Sequence, residues 1–130
     1  MRIALWIVQS LLALAFLAAG VMKATQPLAE LATQMTWIES FPAWAVRAIG
    51  VAEFAGALGL LLPSITRIKP VLTPVAAAAL AALMVGAAGT HVVLAEPAMA
   101  APSVVLGSLA AFVAWGRFVK EPIVERGTDG

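Results

Sequence analysis

Four long apolar stretches alternate with short polar segments along the chain. They run over about residues 3–23, 42–62, 74–95 and 102–118, and a polar tail follows at 119–130. A helix needs about 20 residues, at 1.5 Å each, to cross the roughly 30 Å of hydrocarbon in a bilayer. The pattern therefore predicts an all-α integral membrane protein, a bundle of four helices in a single domain.

The first apolar stretch begins like a secretory signal peptide. Arg2 precedes it, and small residues at 18–20 offer a loose cleavage site. However, its apolar run of about twenty residues is longer than the roughly 7–15 of a signal peptide. We therefore expect a retained membrane helix.

The segment between the first two stretches, residues 25–41, has a different pattern. Its apolar residues recur at helical spacing, at Leu28, Leu31, Ala32, Met35 and Ile38. Pro27 suits the first turn of a helix, and Trp37 suits a membrane interface. The pattern predicts a short amphipathic helix that lies at the interface or folds over the end of the bundle. A structured loop is the alternative.

Prolines mark the expected ends of the other helices. Pro63, followed by Ser64, is expected to end the second span because proline lacks a backbone N–H. Thr73 followed by Pro74 is typical of an N-cap and a first-turn proline. Pro102 is expected to open the fourth span after a short connection at 96–101.

Composition supports the membrane assignment and excludes several function classes. Hydrophobic residues make up 62% of the chain and charged residues 12%, against about 45–50% and about 25% in soluble domains. A net charge of +1 without a basic patch argues against nucleic acid binding. With no cysteine, the chain has no disulfide, thiol nucleophile or CxxC pair.

Motifs of a self-sufficient enzyme are missing from the sequence. A single histidine cannot supply a bis-histidine haem site, and the acidic residues lack the spacing of a two-metal site. The chain has no GxGxxG motif, P-loop or Ser-His-Asp set. We therefore expect no metal site, and no enzyme in this chain alone.

The basic residues predict an orientation in the membrane. Six of the eight fall on one side of a four-span protein, at positions 2, 67, 69, 117, 120 and 126. The positive-inside rule then puts both termini in the cytoplasm. Trp6 and Trp115 fall near that interface, and Trp37 and Trp44 near the opposite one.

Small residues in the second and third spans predict close helix packing. Gly50, Gly56 and Gly59 lie on the second span, and Ala79, Ala82 and Gly86 make one small-residue face of the third. Small residues let membrane helices approach closely, where packing replaces the hydrophobic effect as the main attraction. Contact with a ligand is the alternative role for these positions.

A group of ionisable residues falls in the outer half of the predicted bundle, at Lys23, Arg47, Glu53, His91 and Glu96. Glu53 lies about 16 Å into its span, where an unpaired charge costs on the order of 2.5–3.5 kcal/mol. We expect it either to fix the helix register in an ion pair or to handle a ligand or a proton.

The other members of this group have alternative roles. Lys23 is the candidate partner of Glu53, or else it extends to the interface. Arg47 is six residues from Glu53, too far around the helix to pair with it, so it is expected to serve lipid headgroups or another span. It also remains, with Glu53, Lys23 and His91, a candidate for ligand binding or proton handling. His91 is expected either in a ligand pocket or satisfied near a helix end.

Several of these residues together resemble a known family. The chain carries Gly20-x-x-Lys23, then Gly50-x-x-Glu53-x-x-Gly56-x-x-Gly59 leading to Pro63, then Gly86 to His91, and finally Trp115-Gly116-Arg117. Over roughly residues 3–118 this pattern resembles the DoxX-like membrane proteins. The resemblance implies a four-helix bundle in the bacterial inner membrane. It marks Lys23, Glu53, His91 and Arg117, and it brings no catalytic mechanism.

The residues and the resemblance together lead to a functional hypothesis. We expect a membrane-embedded accessory or binding module, with a quinone or lipid as ligand, that supports a redox or cell-envelope partner. At most it would be a non-thiol subunit of a quinone-linked oxidoreductase; no cofactor is identified beyond the candidate quinone. The alternatives are a small transporter or channel subunit, which needs a homo-oligomer, and a purely structural scaffold.

Overall fold

Long helices dominate the computed structural model, which describes residues 2–35, 38, 40–94 and 100–124. The elements are α1 (Arg2–Thr25), α2 (Leu28–Gln34), α3 (Ala43–Thr66), α4 (Leu72–Val93) and α5 (Ala101–Trp115), which continues as a π-helical turn, Gly116–Lys120. Among the described residues, four segments are long and apolar enough to cross a membrane: α1, α3, α4 and Ala101–Lys120. The predicted all-α membrane helical bundle is confirmed.

The four long helices pack as two pairs that share one core. α1 packs along α3 and α4 along α5; α3 also contacts α4, and α1 contacts α5 over a smaller area. The buried core contains Leu12, Ala13, Phe16, Ala57, Leu60, Ala77, Leu80, Met84, Ala110 and Val113. All four long helices therefore contribute to one interior.

The surface of the bundle is apolar and several polar side chains are inside it. On α1, Ile3, Ile7, Leu11 and Leu14 are exposed, whereas Gln9 is fully buried. Because lipid cannot hydrogen-bond to polar groups, a membrane protein satisfies them internally and presents apolar residues outside. This distribution suits a bilayer environment.

Glycines lie at the closest helix contacts. A Cβ on Gly20 of α1 would lie 2.7 Å from the carbonyl oxygen of Gly50 on α3, so both positions must be glycine for the backbones to meet. A Cβ on Gly56 would contact the Leu80 side chain at 2.7 Å, and one on Gly59 would lie 2.8 Å from Ala76 Cβ. Gly50 thus lies at the contact with α1, and Gly56 and Gly59 lie at the contact with α4.

The predicted packing face of α4 is wrong. Ala79, Ala82 and Gly86 are exposed. Among the described residues, no heavy atom of a neighbouring element lies within 4 Å of the Cβ that Gly86 could carry. α4 instead packs through larger side chains on another face, Leu80 and Met84 among them. The helix contacts of α4 in the core are therefore made by these larger side chains.

Pro63 does not end the second span. α3 continues through it to Thr66 and stops at Arg67, which adopts the left-handed conformation at φ 57°. Proline removes the N–H that would bond to the Gly59 carbonyl one turn earlier. The Thr73 hydroxyl of α4 donates to that carbonyl oxygen at 3.1 Å.

The predicted cap at Thr73 is also wrong. α4 begins at Leu72 with Val71 as its N-cap, and none of the described side chains caps it. Thr73 is instead fully buried in the bundle, and its hydroxyl hydrogen-bonds to residues of α3.

The short helix is present, although it is shorter than the predicted 25–41 segment. It covers Leu28–Gln34, and Leu31 and Ile38 are buried with Val46 of α3. This contact folds the segment over the end of the α1–α3 pair. Trp37, the predicted interfacial anchor, and Glu96 lie outside the described residues.

Candidate functional site

Lys23 and Glu53 form an ion pair between α1 and α3. Lys23 Nζ lies 2.6 Å from Glu53 Oε1, and the two side chains are 12% and 2% exposed. The two helices cross closely at Gly20 and Gly50. Lys23 lies three residues after Gly20, and Glu53 lies three residues after Gly50. Lys23 is therefore turned toward the interior of the bundle.

Pairing offsets the cost of burying these two charges. Either charge alone in the apolar interior would be expensive, whereas a close pair with hydrogen bonding recovers much of that cost. Removing one partner of a buried pair costs about 3–5 kcal/mol, because the other charge is left uncompensated. Lys23 and Glu53 thus stabilise each other's placement.

Arg47 binds the end of α1 and so serves another span. Its Nη1 donates to the carbonyl oxygens of Lys23, at 3.0 Å, and Gln26, at 2.6 Å. The Lys23 carbonyl has no helical donor because the residue four positions on is Pro27. A cation at a helix C-terminus also interacts favourably with the helix dipole. Arg47 therefore fixes the backbone that carries Lys23.

A cavity of about 470 Å³ lies next to the ion pair. All four long helices contribute to its wall, which is mostly apolar and includes Phe16, Leu83 and Leu106. Lys23, Glu53 and His91 line the same cavity. We call this space, with its Lys23–Glu53 pair, the Glu53 cavity.

The Glu53 cavity collects residues that are far apart in sequence. His91, near the end of α4, is 8% exposed, and Thr90 and Gly86 lie on the same wall. Gly86 is thus a cavity residue instead of a packing residue. Arg47 is not part of the cavity lining; it donates a hydrogen bond to the carbonyl oxygen of Lys23.

The wall of the Glu53 cavity combines ionisable and apolar side chains. Lys23 and His91 lie near the C-terminal ends of α1 and α4, Glu53 lies beside Lys23 on α3, and apolar side chains line most of the rest. Within the part of the chain that the structure describes, no three His, Cys, Asp or Glu residues are close enough to hold a metal ion.

A second buried polar cluster lies at the opposite end of the bundle. Gln9 Nε2 donates to Ser64 Oγ at 2.9 Å, and Ser64 Oγ lies 2.7 Å from Thr73 Oγ1. Arg117 Nε donates to Gln9 Oε1 at 3.0 Å. The cluster links α1, α3, α4 and the π-helical turn, so we call it the four-helix polar cluster.

Gln9 and Ser64 were not predicted from the sequence as functional or structural polar residues. An amide side chain within an otherwise apolar span is a signal for an interhelical hydrogen bond, and Gln9 is such a residue. Its partners could not be found by spacing, because they lie 55 and 108 residues away along the chain.

Arg117 is separated from the Glu53 cavity. The resemblance marked it together with Lys23, Glu53 and His91, yet it lies in the four-helix polar cluster at the other end of the bundle. The structure therefore brings three of the four marked residues together and leaves Arg117 in a different place.

Comparison with known proteins identifies one family. A sequence model described as the DoxX-like family matches residues 7–113. The match covers most of the chain and includes Lys23, Glu53 and His91, whereas Arg117 lies beyond it. No curated protein and no solved structure matches the chain.

Proposed function

Because the chain belongs to the DoxX-like family, we propose that it is a membrane-embedded binding module for a small amphiphilic molecule, a quinone or a lipid. The observation that carries this proposal is the Glu53 cavity, about 470 Å³ in volume and lined by Lys23, Glu53 and His91. Small-molecule sites are typically about 300–1,000 Å³, mostly apolar, with a few polar groups that fix orientation.

The residues suit the head and tail of such a ligand. Phe16, Leu83 and Leu106 provide apolar contact for a ring or chain. The Lys23 ammonium and the His91 imidazole can donate hydrogen bonds to the carbonyl oxygens of a quinone or the ester and phosphate oxygens of a lipid. A buried carboxylate can relay the protons that quinone reduction consumes.

The proposed role is an accessory one. The chain has no cysteine and so has no thiol with which to exchange electrons. A redox or cell-envelope partner would therefore supply any electrons, and this chain would hold the ligand within the membrane.

The proposed location is the bacterial inner membrane, with both termini in the cytoplasm. Arg2, Arg67, Lys69 and Lys120 lie at the ends of helices on the same side of the bundle. The positive-inside rule assigns such an end to the cytoplasm. The Glu53 cavity would then face the outer half of the bilayer.

The test is mass spectrometry of the small molecules that purify with the protein in a mild detergent. We expect wild type to carry a defined quinone or lipid, and Glu53→Gln to carry at least fivefold less. Glutamine keeps the shape of the side chain, but it removes the charge that orients Lys23. Thermal unfolding in the same detergent establishes whether the variant is folded.

Glu30→Gln is the matched control, because Glu30 is exposed on α2 and outside the Glu53 cavity. It should leave the bound molecule unchanged. Equal occupancy in wild type and a folded Glu53→Gln variant would contradict the binding proposal. If that variant were also less stable, the result would favour the structural alternative, in which the ion pair only fixes the two helices.

A further inference from the structure

A separate cavity of about 340 Å³ lies at the end of the bundle opposite the Glu53 cavity. Its cationic lining residues are Lys69, from the turn between α3 and α4, and Arg117, from the π-helical turn. The rest of its wall is apolar and includes Val71, Phe118 and Ile123. We call it the Lys69–Arg117 cavity.

Arg117 is held in a fixed position there. Its Nε donates to Gln9, its Nη1 donates to the Glu121 carbonyl oxygen at 3.0 Å, and its guanidinium lies 5.2 Å from the centre of the Trp6 ring. The residue is only 4% exposed. Among the described residues, its Nη2 has no hydrogen-bond acceptor. Arg117 thus lines the cavity and, within the described part of the chain, keeps one buried guanidinium nitrogen without an acceptor.

The charges around this cavity are mostly positive. Arg117 experiences the negative charge of Glu121 and the positive charge of Arg2, and Lys69 adds a further cation at the cavity wall. The Lys69 side chain is exposed. A cationic site of this kind favours an anion with several acceptor oxygens, because guanidinium geometry matches phosphate oxygens.

We propose that the Lys69–Arg117 cavity binds the phosphate group of an anionic phospholipid. The apolar wall suits the start of an acyl chain, and the exposed Ile68 and Val119 lie next to the cavity residues at the end of the membrane spans. Basic pockets between membrane helices are typical binding sites for anionic headgroups. This site is independent of the ligand proposed for the Glu53 cavity.

The test is native mass spectrometry of the full chain in detergent, titrated with phosphatidylglycerol or with zwitterionic phosphatidylcholine. Wild type should retain phosphatidylglycerol in preference to phosphatidylcholine. Lys69→Gln should weaken phosphatidylglycerol binding about fivefold, which corresponds to the ~1 kcal/mol that one cation contributes near an anionic lipid surface. Because Lys69 is exposed, this variant should fold normally.

Lys120→Gln is the matched control, since Lys120 is an exposed cation at the same end of the bundle but outside the cavity lining. It should change the affinity less than twofold. An equal loss in both variants would indicate general surface charge and would overturn the proposal, as would no loss in Lys69→Gln. Displacement of the lipid by millimolar inorganic phosphate would also overturn it, because the site would then recognise a free anion.

Discussion

Gly86 is a position at which the Glu53 cavity can be altered while both residues of the Lys23–Glu53 ion pair are kept. It lies on the cavity wall, and a Cβ added there meets no heavy atom of a neighbouring element within 4 Å among the described residues. The first atom of a larger side chain therefore fits at this position, and the rest of that side chain adds volume at the wall of the cavity. This property allows a test of ligand binding that leaves the charged residues unchanged.

We expect Gly86→Leu to exclude the ligand of the Glu53 cavity while the protein stays folded. The leucine side chain takes up cavity volume. Glycine is less favourable than alanine in a helix by about 0.8–1.0 kcal/mol, and leucine ranks close to alanine. Mass spectrometry should show at least a fivefold loss of the co-purified molecule, and the thermal midpoint in detergent should not fall.

Gly89→Leu is the control for Gly86→Leu. Gly89 lies on the same helix, and a Cβ there would also meet no neighbour within 4 Å in the described part of the chain. It is outside the cavity lining. It should leave the bound molecule unchanged. If both variants kept the ligand equally, the ligand would have to bind somewhere other than the Glu53 cavity.

Single residues differ in how far the sequence predicted their roles. Glu53 stood out because a carboxylate within an apolar span needs a partner, and Lys23 was the candidate. Gln9 gave a weaker signal because an uncharged amide costs less to bury. Gly86 was assigned to packing because a small residue at a helix contact and one in a cavity wall look alike in sequence.

At the level of elements, α3 shows how a proline is accommodated inside a membrane helix. Pro63 leaves the Gly59 carbonyl without its helical donor, and Thr73 of α4 donates to it from the neighbouring helix. Neighbouring Ser and Thr side chains commonly satisfy such carbonyls in membrane proteins. The carbonyl that Pro63 leaves without a donor thus accepts a hydrogen bond that joins α3 to α4.

We expect Thr73→Val to destabilise the protein by about 0.6–1.7 kcal/mol, the range of interhelical hydrogen bonds in membranes. Valine has nearly the same shape but leaves the Gly59 carbonyl without a donor. The measurement is the free energy of unfolding in detergent micelles, by a denaturing detergent titration.

Pro63→Ala provides the matched background for Thr73→Val. Alanine restores the N–H that bonds to Gly59, so Thr73→Val should cost less in Pro63→Ala than in wild type. The same cost in both backgrounds would mean that Thr73 acts through Ser64 alone, to which it is also hydrogen-bonded.

The whole molecule has two polar ends with different character. One end has the Lys23–Glu53 pair and the Glu53 cavity; the other has the four-helix polar cluster and the Lys69–Arg117 cavity. Basic residues at the second end set the proposed orientation in the membrane. This proposal can be tested directly, because the chain has no native cysteine.

We expect Ser40→Cys and Lys120→Cys to react differently with a membrane-impermeant maleimide on intact bacterial cells. Ser40 is exposed between α2 and α3, and Lys120 is exposed at the end of the π-helical turn, at the other end of the bundle. Ser40→Cys should be labelled in intact cells, and Lys120→Cys only after lysis.

Wild type, which has no cysteine, is the background control for this labelling. The opposite labelling pattern would place both termini outside the cytoplasm and contradict the proposed orientation. It would also move the Glu53 cavity to the cytoplasmic half of the bilayer.

The sequence by itself determined the fold class, because stretches of about 20 apolar residues leave a chain few options other than membrane helices. It also identified Glu53 as a residue that requires a partner. Only the tertiary structure decided that Lys23 contacts it, that α3 passes through Pro63, and that Gly86 borders a cavity. Hydropathy depends on local composition and can be read along the chain. These contacts depend instead on where the helices cross, which brings together residues that are far apart in the sequence.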